Sequence, residues 1–181
     1  MMDKLELVQP DIRYRDSYVE ALREGLEPVM PPEEKLHEIE RDFEGYRKRE
    51  HDLNNPVVLP DGSKVKRIPH TELWLVSGDR FLGRISIRHE LTEYLRQVGG
   101  HIGYAVRKSE RRKGYGKLMM KLALPYARLV GLKEALVTCD DDNIASIKII
   151  EGAGGVLEKL DRMDVFATGE PLLVRHYWVK L

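Results

Sequence analysis

The chain has 181 residues, 42 % of them hydrophobic and 33 % charged, the make-up of one globular domain spanning residues 1–181. Basic and acidic residues number 30 each, so no global field draws it to nucleic acid or a membrane surface, and neither partner is expected. One cysteine, Cys139, excludes an internal disulfide and a thiolate zinc cluster, so no metal is expected.

The first residues lack the apolar run of a signal peptide, and no apolar stretch nears the ~20 residues of a membrane span, which points to the cytoplasm. Lys4 to Val8 reads as a strand stopped by Pro10. Asp11 can cap a helix over Tyr14 to Leu26, ended by Pro28 and the Pro31-Pro32 pair. Leu36, Ile39, Phe43 and Tyr46 mark a second helix at helical spacing. Asn54 to Pro69, with Asn-Asn-Pro and Pro-Asp-Gly, reads as an irregular loop. Leu73 to Val76 and Phe81 to Arg88 form a hairpin around Ser77-Gly78-Asp79-Arg80, and a polar segment through Glu93 and Arg96 follows.

His101 to Val106 reads as a strand, Arg111 to Gly116 as a basic glycine-containing turn, and Lys117 to Val130 as a helix containing Pro125 and capped by Gly131. Ala135 to Cys139 is a strand continuous enough to be buried on both faces. Asn143 caps a helix through Ile150, and Val156-Leu157 and Leu172 to Leu181 are closing strands. Strand, turn, helix, strand and helix make a βαβ unit in a mainly antiparallel sheet: an α/β fold of mixed direction.

The sharpest local signal is Arg111-Arg112-Lys113-Gly114-Tyr115-Gly116-Lys117. A helix starting here leaves backbone N–H groups unpaired, and with the dipole they seat a phosphate. Gly114 and Gly116 admit close approach of a ligand to the backbone. One dipole contact contributes only ~0.3–1 kcal/mol, whereas micromolar affinity needs about 8 kcal/mol, so an extended ligand is implied. The plain alternative is a solvated basic connection. Neither a Walker motif nor a three-glycine dinucleotide fingerprint is present.

These residues resemble the GNAT superfamily of acyl-CoA N-acyltransferases, whose Gln/Arg-x-x-Gly-x-Gly/Ala signature matches Arg111 to Gly116. Asn143-Ile144-Ala145-Ser146, followed by Gly154-Gly155, is a second matching segment. More narrowly, Arg84 to His89 and Gly100 to Tyr104 resemble a bacterial subgroup of predicted acetyltransferases. The resemblance spans Leu5 to Leu181. It implies about seven strands flanked by about four helices, with the fourth and fifth strands splayed around the pantetheine arm of acetyl-CoA. It implies backbone pairing at Tyr104 and Val106, pyrophosphate on Arg111, Arg112, Lys113, Gly114, Tyr115, Gly116 and Lys117, Asn143 on the pantetheine amides and Ser146 near the thiol end. A homodimer and a small-molecule or peptide amine acceptor follow from the same likeness.

The reaction so implied is direct attack of the amine on the thioester through a tetrahedral intermediate, with a backbone N–H at or beside Tyr104 facing the oxyanion. An alkyl amine of pKa ~10.4 must lose a proton, at a cost of about 4.6 kcal/mol at pH 7. The family's usual base positions fall on Gly100 and Ile102, which cannot serve. His89 and Glu90 are the first choice, with Glu72 and His101 behind them. The usual acid, a tyrosine, falls on Ile150, leaving Tyr104, Tyr115, Tyr177 or water to protonate the thiolate. Cys139, on an apolar strand, reads as a core thiol, not a nucleophile. The vacant positions keep open a second reading, a GNAT-fold module that binds CoA for sensing or regulation without turnover.

Overall fold

A computed structural model of the chain describes residues 4–27, 30–59, 62–163 and 172–181. In chain order it contains β1 (Leu5–Val8), a 3-10 turn (Ile12–Tyr14), α1 (Arg15–Arg23), α2 (Glu33–Arg41), α3 (Phe43–His51), β2 (Val57–Val58), β3 (Lys64–Val65), β4 (His70–Ser77) and β5 (Arg80–Arg88). There follow α4 (Glu93–Gln97), β6 (Ile102–Val106), a second 3-10 turn (Lys108–Glu110), α5 (Tyr115–Leu129), β7 (Glu134–Asp140), α6 (Ile144–Gly152), β8 (Gly155–Met163) and β9 (Leu172–Lys180). Pro28 and the Pro60-Asp61 part of the expected turn lie outside the described residues.

Two antiparallel sheets organise these elements. One runs β1-β4-β5-β6 and the other β7-β9-β8, so β6 and β7 are facing edges with no ladder between them. The pleat of β4 and β5 feeds two cores. Leu73, Leu75, Ile85 and Ile87 point to one face, where they meet Met119, Met120, Ala123 and Ala127 of α5. Trp74, Val76 and Phe81 point to the other and meet Tyr18, Leu22, Leu36, Ile39 and Phe43 of α1 to α3. Trp74 is fully buried there, stacked on Tyr18 with centroids 4.5 Å apart and edge-on to Phe81 at 5.0 Å.

Several boundaries differ from the sequence reading for local reasons. The second helix is two helices, because Asp42 leaves helical geometry (φ −141°, ψ 65°) and its carboxylate accepts the Gly45 amide to start α3. The loop before β4 contains the short β2–β3 hairpin. Thr92 caps the one-turn α4 by accepting the Leu95 amide, an element hidden in what reads as a polar linker. Helix α5 begins at Tyr115, two residues before the expected start. Among the described residues no helix is long and apolar enough to cross a membrane.

Candidate functional site

The open edge of β6 sets the frame. The Arg88 amide bonds the His101 carbonyl and the Arg107 amide bonds the Leu82 carbonyl, and the β5–β6 register is regular between them. In an antiparallel ladder this turns odd-numbered residues of β6 toward β5, so the N–H and C=O groups of Tyr104 and the N–H of Val106 face the gap before β7. The two edges touch at one end. There the His101 amide donates to the Leu136 carbonyl at 2.7 Å, and the Leu136 amide donates to His101 Nδ1 at 2.9 Å.

At the other end β6 runs into the basic turn. Gly114, the residue before α5, has φ 86° and no side-chain cap follows it. The first backbone bond beyond it is Leu118 N–H to Gly114 C=O at 3.1 Å, which leaves the amides of Tyr115, Gly116 and Lys117 without a carbonyl four residues back in the helix. A Cβ on Gly116 would stand 2.6 Å from Ile149 Cδ1, so its smallness also lets α5 pack on α6.

The cations of the turn divide into two kinds. Arg111 folds back, donating to the carbonyls of Val106 and Gly25, and Lys113 is held by Glu110 at 2.8 Å. Arg112 and Lys117 are exposed and carry no ion pair among the described residues, so they are the charges available to an anion. Beneath the turn, buried Arg107 donates to Glu24, Glu20 and Ser17, tying it to α1. Glu24 also accepts the Ser109 hydroxyl at 2.7 Å, and the Arg107 guanidinium, ahead of the Ser109 bonds, pulls its carboxyl down to about 2. This tie links residues 83 positions apart and has no signature in the sequence.

In the gap, Tyr104 is half-buried, and its Oη has no hydrogen-bond partner although Ser146 lies beside it. Burial pushes the phenol up to about 12. Asn143 accepts the Ser146 amide at 3.0 Å and caps α6. Cys139 is half-buried on β7, and burial lifts its thiol to about 11. Ile150 is buried in the core. Tyr177 is also buried there, its hydroxyl donating to Glu151 at 3.1 Å.

The expected bases are not brought to Tyr104. His89 and Glu90 lie just past the end of β5; extending its register sets His89 opposite residue 100, about four residues or ~13 Å along the strand from Tyr104. His89 Nε2 is 2.9 Å from the Thr71 hydroxyl, and exposed Glu90 lies 4.0 Å from Lys66. His101 is corrected outright: it is buried, it accepts the Leu136 amide, and burial lowers its pKa to about 4, so it clips two strands together instead of taking protons.

On the α1–α3 side of the sheet lies a cavity of about 280 Å³, lined by Tyr18, Glu27, Tyr46, Glu50, Glu72 and Arg84 among others. Arg84 pairs with Glu27 and Arg47 with Glu72. In the ladder Glu72 is opposite Ser86, and Ser86 opposite Gly103. Ser86 and Gly103 are on this face with Glu72, and the Arg88 guanidinium lies over Gly103, 3.5 Å from where a Cβ would stand. Glu72 stays ionised because Arg47 and Arg84 outweigh the burial that opposes its charge.

The geometry suits an extended ligand with an anionic end at α5, backbone pairing along β6 and a proton donor near Tyr104. A search of curated proteins finds no match. In fold, the chain is similar to the Salmonella typhimurium acetyltransferase that modifies the N-terminal serine of ribosomal protein L7/L12 (TM-score 0.64, 15 % identity, 98 % of this chain and 95 % of that one). It is similar to a chimera of Vibrio cholerae spermidine N-acetyltransferase SpeG and hSSAT (TM-score 0.63, 17 % identity, 97 % and 95 %). It is also similar to yncA of Salmonella typhimurium, described as an acetyltransferase and solved with its cofactor acetyl-CoA (TM-score 0.60, 13 % identity, 98 % and 94 %). The model of the acetyltransferase (GNAT) domain matches residues 7–156, and the chain belongs to that family.

Proposed function

We propose that this chain, as one domain over residues 1–181, transfers the acetyl group of acetyl-CoA to an amine on a small molecule or a peptide. The observation that carries the reading is the open β6 edge, which runs from the unpartnered Tyr104 hydroxyl to the uncapped start of α5. Acetyl-CoA supplies the thioester, and the amine attacks it directly, through a tetrahedral intermediate.

The chain's own groups take the following parts. Amides of Tyr115, Gly116 and Lys117 with the side chains of Arg112 and Lys117 hold the diphosphate; Arg111 and Lys113 shape the turn. The backbone of Tyr104 and Val106 pairs with the pantetheine amides, and the Tyr104 N–H faces the developing oxyanion. The Tyr104 hydroxyl, protonated at any physiological pH, gives its proton to the departing sulfur, the role vacated at Ile150. Asn143 reaches the pantetheine amides, and Ser146 lies near the thiol end. The amine arrives from the cavity beside Glu72. Its proton leaves by water toward His89 and Glu90, since pairing with Arg47 makes Glu72 a weaker base. Similar structures act on spermidine and on a ribosomal-protein terminus, which supports an amine acceptor of either size.

The test is thiol release from acetyl-CoA against pooled polyamines, amino acids and peptides, with Gly114→Glu as a binding control. Turnover with one pool supports the reading. Cofactor binding with no thiol released by any amine class would overturn it in favour of a binding module.

A further inference from the structure

At the edge of the cavity, three side chains of metal-ligating type converge. His70 and Glu72 stand two apart on β4, so the pleat places them on one face. His51 is the last residue of α3, and its ring stacks on that of His70, with centroids 4.5 Å apart and planes 11° from parallel. One nitrogen from each histidine and one carboxylate oxygen of Glu72 all lie within 4.8 Å of one another.

Two further contacts give this cluster the character of a cation site. His70 Nδ1 lies 3.3 Å from the Ile68 carbonyl; as an N–H donor there, it leaves Nε2 with its lone pair free, the arrangement by which outer partners orient ligating histidines. Arg47 already places a positive charge among the donors: one guanidinium nitrogen donates to Glu72 at 2.8 Å and the other lies 2.6 Å from His51 Nε2.

We propose that His51, His70 and Glu72 form a binding site for a divalent transition-metal ion of the zinc class, and that Arg47 competes with the ion for it. Metal–ligand distances of ~2.0–2.2 Å put tetrahedral donors about 3.3 Å apart, so the cluster must tighten by about 1.5 Å at most. His51, exposed at a helix end, makes that approach by turning out of the stack once Arg47 releases its Nε2. Two imidazoles and one carboxylate favour zinc, nickel or copper over magnesium or calcium. A fourth position is left for water. The sequence reading sought metal ligands only among thiols, and a His-x-Glu strand meeting a helix end lies outside that search. This inference is independent of the acetyl-transfer reading.

The experiment is calorimetric titration of tag-free, chelator-treated protein with Zn²⁺, together with Co²⁺ absorption as a report of ligand geometry. One equivalent is expected to bind, with no heat from Mg²⁺. His51→Gln and His70→Gln are expected to weaken binding by about tenfold or more, in line with the loss of one ligand. Arg47→Gln is expected to tighten it several-fold, an effect that adventitious surface binding would not show. Circular dichroism of each variant establishes that it is folded. No Zn²⁺ heat from the wild type, or unchanged affinity in both histidine variants, overturns the site; unchanged or weaker binding by Arg47→Gln overturns the competition.

Discussion

His101 on the strand before the gap accepts the backbone amide of Leu136 on the strand beyond it, through Nδ1 at 2.9 Å. Its ring lies with its centroid 6.2 Å from that of Trp178, so it is held from the far sheet as well. Removing it as His101→Ala leaves a buried amide unpaired, and a loss of about 2–3 kcal/mol is expected in urea denaturation.

The same contact predicts a pH dependence. Burial lowers the folded pKa of His101 to about 4, below its ordinary 6.5, so the unfolded chain binds the proton more readily. The contribution is fully present above pH 6.5 and fades as pH falls from 6.5 toward 4, by on the order of 2 kcal/mol after allowance for partial solvation. Denaturation midpoints of wild type and His101→Ala across that window are expected to converge at the acid end.

What the sequence made legible follows from how local the cause is. The β4–β5 hairpin, the Asn143 cap and the glycine-containing turn before α5 are written in neighbouring residues, and the structure has each of them there. The break at Asp42 was not legible, because Phe43 and Tyr46 keep helical spacing across it. The Glu24–Arg107 tie and the cavity pairs Glu27–Arg84 and Arg47–Glu72 join distant segments and show no pattern along the chain. His101 was misread for the related reason that its partner is a backbone amide on another strand.

Gly114 and Gly116 are expected to fail differently. Gly114→Glu forces a side chain into a left-handed backbone and sets a negative charge at the anion seat; stability falls by ~1 kcal/mol and acetyl-CoA affinity by about tenfold or more. Gly116→Val drives carbon into Ile149, so the loss of about 1–3 kcal/mol falls on stability. Calorimetry with acetyl-CoA beside thermal melts separates the two.

Tyr104→Phe removes only the hydroxyl. Thiol-release kinetics are expected to show kcat down by about a hundredfold, with KM for acetyl-CoA little changed. An unchanged kcat would remove Tyr104 from the acid role.

Cys139, with its thiol lifted to about 11, is expected to react with a disulfide reagent at pH 8 about a hundredfold more slowly than a free cysteine of pKa ~8.5. Absorbance of the released chromophore measures this directly.

The end of α1 serves two masters. Leu22 and Glu27 line the cavity, while Glu24 and Gly25 between them hold Arg107 and Arg111 of the basic turn. A drift in this stretch that widened the range of amines admitted would loosen the hold on the acyl donor at the same stroke. Changes of acceptor taste are therefore steered toward Lys35 and Ile39 of α2 and Tyr46 and Glu50 of α3, which line the cavity and, among the described residues, make no contact with the basic turn.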